Sequence, residues 1–215
     1  MDWKLLQLAD SAFPTGGFAH SGGLEAAYQQ GEVDGDSLFD WLEQALWQAG
    51  FAGLPFVGAG VDDFRSLKLA DLRHHAFVSN PVANRASRAQ GRSLMAACAA
   101  AFPDERLRVW ADDDALLLHH APALGAACAV LNVTRRDAQS LYLQTSLRGA
   151  LSAAVRLGIT GPLEAQRLQA ASAPTLDAVL ARCGALVLEE AAHTAPLHEL
   201  FQGTQDRLYS RLFQS

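Results

Sequence analysis

Lysine is nearly absent from this 215-residue chain, and arginine supplies most of its positive charge. Arginine holds ion pairs through a rigid planar fork, so the bias points to structured surface contacts. No cluster of Lys and Arg stands out, and the formal net charge is -6, so nothing draws the chain to phosphate backbones. Nucleic acid is therefore not an expected partner. Cysteine is scarce too. Cys98, Cys128 and Cys183 are odd in number, far apart and without a Cys-x-x-Cys pair. Neither a disulfide framework nor a zinc finger follows. Cys98 and Cys128 sit in Ala-rich runs and read as buried free thiols, which suits a reducing, cytoplasmic setting. No signal peptide is visible at Met1-Asp2-Trp3-Lys4. No uninterrupted apolar run is long enough for a membrane helix. The best candidate, 115–133, is broken by His119-His120 and Pro122.

Strand signals are missing as well: there are no alternating Val/Ile/Thr runs and no Asn-Gly turns. Half the residues are hydrophobic and 19% are charged, so the chain can bury a core rather than stay disordered. Alanine and leucine dominate, and both favour helix. The expected fold is all-α, one compact domain of roughly eight to ten helices.

Residues 22 to 31 read as a short helix ending at Gly31. Asp36 or Ser37 can cap the next, with an apolar stripe at Leu38, Trp41, Leu42, Ala45, Leu46 and Ala49. Gly50 to Gly53 would stop it, and a helix would resume near Asp62. Asn80-Pro81 starts a long helix to Ala101, with Pro103 beyond its end. Asp112-Asp113-Asp114 reads as the acidic start of another helix, which Pro122 kinks or splits. Thr134-Arg135-Arg136-Asp137 resembles a capping box and opens a helix to about Leu157. Gly158 and Gly161-Pro162 break the chain. Helices at 163–172 and 175–193 follow, and a last one after Pro196.

Residues 13 to 25 are the densest segment, with four glycines among Phe13, Phe18, His20 and Ser21. A phosphate-binding loop needs a lysine after its last glycine, and none is present. Ala19-His20-Ser21-Gly22-Gly23 approaches a nucleophile elbow, so a small serine hydrolase using Ser21 is the alternative reading. No strand pattern precedes that serine to strain the turn. A structural or recognition loop is the third reading, with Ser21 capping the helix that follows. The pairs His74-His75 and His119-His120 point about 100° apart on a helix, so neither pair shares a metal easily. No His-Glu-x-x-His occurs, and surface or satisfied histidines are expected. The terminus, Leu208 to Ser215, carries a Tyr, a Phe, two leucines and an Arg where termini are usually polar. It packs back on the domain or docks on a partner.

Three segments together resemble one family, the urease accessory protein UreF. They are Leu5-Leu6-Gln7-Leu8 with Pro14-Thr15-Gly16-Gly17-Phe18, Ser21 and Gly23-Leu24-Glu25; then Ser152 to Gly158, ending Ala-Val-Arg-Leu-Gly; then Tyr209-Ser210-Arg211-Leu212-Phe213-Gln214-Ser215. A looser likeness is Asn84-Arg85-Ala86-Ser87 with Gln90-Gly91-Arg92. Phe13, Ala19-His20 and Gly22 depart from the family pattern, as does the turn Gly158 to Gly161.

The resemblance implies an all-α, often dimeric, non-catalytic scaffold. It would bind UreD (UreH in some organisms) and the GTPase UreG to bring nickel to apo-urease, with no cofactor or resident metal. The motif positions carry the implied partner contacts. In the loop these are Pro14, Gly16, Gly17, Phe18, His20, Ser21, Gly23 and Glu25, and on the middle helix Arg156. In the tail they are Tyr209, Ser210, Arg211, Leu212 and Phe213. Glu25 and Arg156 would serve the GTPase-facing function, and the tail would order against UreD. Segments 1–21 and 204–215 are expected to be flexible or ordered by a partner.

Overall fold

A computed structural model describes residues 2–215. The fold is all-α, with eleven α-helices, more than the eight to ten expected, and no strand among the described residues. In chain order they are α1 (Trp3–Ala9), α2 (Leu24–Gln29), α3 (Leu38–Asp62), α4 (Leu67–Phe77), α5 (Pro81–Ala101) and α6 (Glu105–Asp112). Then come α7 (His120–Val130), α8 (Arg135–Arg156), α9 (Pro162–Ala171), α10 (Ala173–Cys183) and α11 (Pro196–Thr204).

Helix α7 is apolar on every side and sits at the centre, against α3, α5 and α8. One part of the core gathers Phe56, Val57, Leu94, Met95, Leu107 and Leu124. The other gathers Leu24, Leu38, Leu42, Leu46, Leu147, Leu151 and Phe213. Helices α3 and α8 run through both, and Tyr142 packs against each. Each fully buried Leu or Phe contributes about 1.5–3 kcal/mol relative to exposure. All three cysteines are free and buried, and burial pushes the Cys98 and Cys128 thiols up to about 12.

Several boundaries differ from those read in the sequence. Helix α3 does not stop at Gly50–Gly53 but continues to Asp62. Pro55 inside it has no N–H for the Phe51 carbonyl, and Ala192 N–H donates to that carbonyl instead, at 3.2 Å. The glycines are contact points rather than breaks. A Cβ on Gly60 would lie 2.6 Å from Pro122 O and 2.8 Å from Ala126 N. The bare backbone therefore lets α3 and α7 touch.

The Asp112-Asp113-Asp114 run ends a helix instead of starting one. Asp104 caps α6 eight residues earlier, accepting from Arg106 N at 2.9 Å. After the run the chain is drawn inward by Leu116 and Leu118, both buried. The buried Asp71 carboxylate then accepts from Leu117 N, Leu118 N and His119 N at 2.7, 2.9 and 2.7 Å. Leu118 takes left-handed backbone, with φ of 57°, so no helix runs through this stretch and α7 begins only at His120. Pro122 falls in the first turn of α7, where its missing N–H is not needed. Helix α10 ends at Cys183, ten residues before the expected end. The carbonyls of Gly184 and Leu186 are taken there by Arg135 (3.2 and 3.0 Å) and by Gln139 on Gly184 (3.0 Å).

Other expectations agree with the structure. Asn80 caps α5 through Val82 N and Ala83 N. Thr134 caps α8 by accepting from Asp137 N.

Candidate functional site

The three separated segments singled out in the sequence meet at one place. Loop 13–23 leads into α2, whose first turn carries Glu25. Gly16 and Gly23 take left-handed backbone, with φ of 73° and 93°. A Cβ on Gly23 would come 2.9 Å from Gln202 N and 3.0 Å from His198 O, so α11 lies directly over it. The tail returns from α11 and runs beside the loop. Gln214 N donates to Ala19 O at 2.8 Å, and Ser21 N donates to Ser215 O at 2.5 Å. Ser21 Oγ donates to the same oxygen at 2.9 Å. His20 Nδ1 lies 2.8 Å from Ser215 Oγ. Burial, and then the charge of Arg85, hold the His20 ring below its ordinary value.

Two charged residues fasten this arrangement. Glu25 is 2% exposed. Its carboxylate accepts from Leu212 N at 2.6 Å, Phe213 N at 3.1 Å and Gln205 Nε2 at 2.5 Å. A buried carboxylate is tolerable only when donors surround it, and here most of the donors belong to the tail. Gln205 also donates to Phe213 O at 3.2 Å. Arg156, at the end of α8, donates to Phe18 O at 2.5 Å. Its guanidinium also stands 3.7 Å from the Phe18 ring centroid and 4.3 Å from that of Phe213. A cation over two aromatic faces is worth roughly 0.5–2 kcal/mol per ring. Arg156 therefore joins loop to tail, and Glu25 holds the tail from beneath.

The outward face is different in character. Phe18 is 71% exposed, Tyr209 is fully exposed and Leu212 is half exposed. Aromatic and leucine side chains left in water at an ordered site are the usual anchors of a protein interface. Ser210 contributes its carbonyl to Gln29 Nε2 at 3.0 Å, and Arg211 pairs with Asp206. Pro14 is exposed beside a cleft of about 540 Å³, which Gly17, Phe18, His20, Thr145, Gly149 and Ser152 help to line. Gln205, Gln29 and Asp206 belong to the site without having been singled out. They carry no local motif, and only their position just before or opposite the tail could have drawn notice.

The geometry speaks against the hydrolase alternative. Ser21 Oγ bonds a main-chain oxygen, and the His20 ring meets Ser215 rather than Ser21. A nucleophile needs the base on its own oxygen. No group of three His, Cys, Asp or Glu side chains among the described residues is arranged to hold a metal ion. Of the histidines expected to lie at the surface or be satisfied, His74, His119 and His198 are buried and His75 is exposed. His119 is fully buried, with Nε2 3.2 Å from His75 Nδ1 and Nδ1 3.1 Å from Ser87 Oγ. The His198 ring stacks on Trp41 at 3.6 Å.

Comparison with known proteins adds sequence relationships. The UreF family model matches residues 33–173. Urease accessory protein F of Arabidopsis thaliana is 36% identical over 223 residues, covering 100% of this chain and 93% of that protein. Urease accessory protein F of Oryza sativa subsp. indica is 34% identical over 220 residues, covering 98% and 84%. Urease accessory protein UreF of Trichodesmium erythraeum is 30% identical over 221 residues, covering 97% and 94%. The family match leaves out the loop and the tail, but these alignments span nearly the whole chain.

Proposed function

The chain belongs to the UreF family of urease accessory proteins, and from that premise we propose that it is a non-catalytic scaffold in urease maturation. In this reading it binds UreD (or UreH) and the GTPase UreG, and the assembly passes nickel, as cargo, to apo-urease. It works in the cytoplasm and as a homodimer. No helix among the described residues is long and apolar enough to cross a membrane.

The observation that carries the reading is the convergence of loop, α8 end and tail into one ordered surface with exposed Phe18, Tyr209 and Leu212. The roles divide by burial. The exposed side chains make partner contact. Glu25 is too buried to face a GTPase directly, and it acts by holding the tail in place. Arg156 does the same while keeping part of its charge exposed.

Co-expression of the tagged chain with UreD and UreG tests this, read by size exclusion with light scattering. A stable assembly is expected for the full chain and not for a version lacking residues 209–215. A full-length chain that stays alone, with both partners folded and present, would overturn the scaffold reading.

A further inference from the structure

Helix α5 buries one face through Val82, Ala86, Leu94, Met95 and Cys98. Arg85, Arg88 and Arg92 follow at spacings of three and four. At about 100° per residue they fall within an arc of about 60°. This is a local stripe of positive charge on a chain of net charge -6.

Its three charges are not equally committed. Arg85 grips both oxygens of Asp206 at 3.0 Å, and Asp206 also receives Arg211. Arg88 and Arg92 form no ion pair among the described residues. The acids of neighbouring α6 do not reach them, and Asp104 is spent on Arg106. Arg88 Nε is shielded from water and has no hydrogen-bond partner. A guanidinium donor left without an acceptor is unfavourable, and an arriving carboxylate would relieve it. The stripe's field is felt inside the protein as well. Arg88 helps hold the His119 ring down, after burial and His75, and Arg85 does so for His20 after burial.

We infer that Arg88 and Arg92, with Arg85 at the tail edge, form a docking site for a short acidic segment of a partner protein. The stripe spans about 10 Å of helix, which about three extended residues cover. Two or three carboxylates at that reach fit the guanidinium forks. A long polyanion fits less well, because the whole chain repels it. The stripe is continuous with the tail through Arg85 on Asp206, which Arg211 also holds. A partner seated on the tail could reach it without leaving the surface.

The experiment needs neither UreD nor UreG, so its failure is separate from failure of the scaffold reading. The probe is a short fluorescein-labelled Asp/Glu peptide, and binding to the full chain is read by anisotropy at low and moderate salt. The variant Arg88→Gln/Arg92→Gln is compared with Arg136→Gln/Arg167→Gln, which removes the same charge from exposed positions on α8 and α9. The stripe variant is expected to weaken binding by about tenfold or more, and the control by less than about twofold. Circular dichroism checks both folds. Should the Gln pair fail to fold, Arg88→Lys/Arg92→Lys keeps the charge and removes the fork, and weaker binding is still expected. No binding by the unaltered chain, equal weakening in both variants, or tighter binding of a single-stranded oligonucleotide of equal charge would each overturn the proposal.

Discussion

Residues 16 to 23 and residues 50 to 60 each hold four glycines, and they use them differently. In the first stretch Gly16, Gly22 and Gly23 take positive φ, and the chain turns back on itself to receive the tail. In the second, all four lie inside α3, and each faces a neighbouring side chain or backbone. Local sequence reads both stretches as breaks. What separates them is the approach of other elements. Only the loop's glycines act through backbone freedom; those of α3 act by having no side chain.

The sharpest test of that contrast is Gly60→Ala. The added methyl would meet main-chain atoms of α7, which cannot rotate away as a side chain can. Overpacking typically costs about 1–3 kcal/mol, and backbone against backbone belongs at the upper end. Urea unfolding should show a loss of about 3 kcal/mol or more. A loss under about 1 kcal/mol would mean that α3 and α7 separate easily, and the close-contact account would fail.

Acid probes the packed region without changing a residue. Burial, then His75 and Arg88, push His119 down to about 3, and burial pushes His198 down to about 4, from an ordinary 6.5. The unfolded chain thus binds more protons than the native one below pH 6.5. Stability is full above that pH and falls as pH drops toward the folded values, by up to about 1.4 kcal/mol per unit for each ring. Melting temperature should decline steadily between pH 7 and 4.5, with a shallower slope in His198→Gln. A flat profile would contradict the burial of these rings.

Within the loop, neighbouring Gly22 and Gly23 separate conformation from contact. Gly22 has φ of 64° with nothing within 4 Å of an added Cβ, whereas Gly23 has both positive φ and α11 at 2.9 Å. Gly22→Ala should cost only the left-handed strain, about 1–2 kcal/mol. Gly23→Ala should cost clearly more, and should also loosen the tail. Equal losses would show that α11 does not press on Gly23.

The same contrast explains how much was legible beforehand. Helix class followed from Ala and Leu content. Asn80-Pro81 and Thr134 to Asp137 were readable because a cap is local chemistry. The continuation of α3 was not readable, since Pro122, Tyr142, Arg135 and Val179, which meet its glycines, lie 62 or more residues away. The Asp112 run misled because Asp104 had already capped the helix and Asp71, far upstream, holds the chain that follows. The site divides likewise. Its motifs were visible, but that Glu25 receives the tail amides of Leu212 and Phe213 could be seen only once the tail was in place.

Gly149 gives the smallest expected effect and the finest test. It lies mid-way along α8 with no positive φ, and nothing would stand within 4 Å of an added Cβ. It is therefore neither a turn glycine nor a contact glycine within the chain. Replacing glycine by alanine in such a helix should stabilise the protein by about 0.5–1 kcal/mol. Yet Gly149 lines the cleft beside Phe18 and His20. If a partner helix or loop packs there, Gly149→Ala should melt higher but assemble less well with UreD and UreG. If assembly is unchanged while stability rises, the part of the cleft lined by Gly149 is free in the complex.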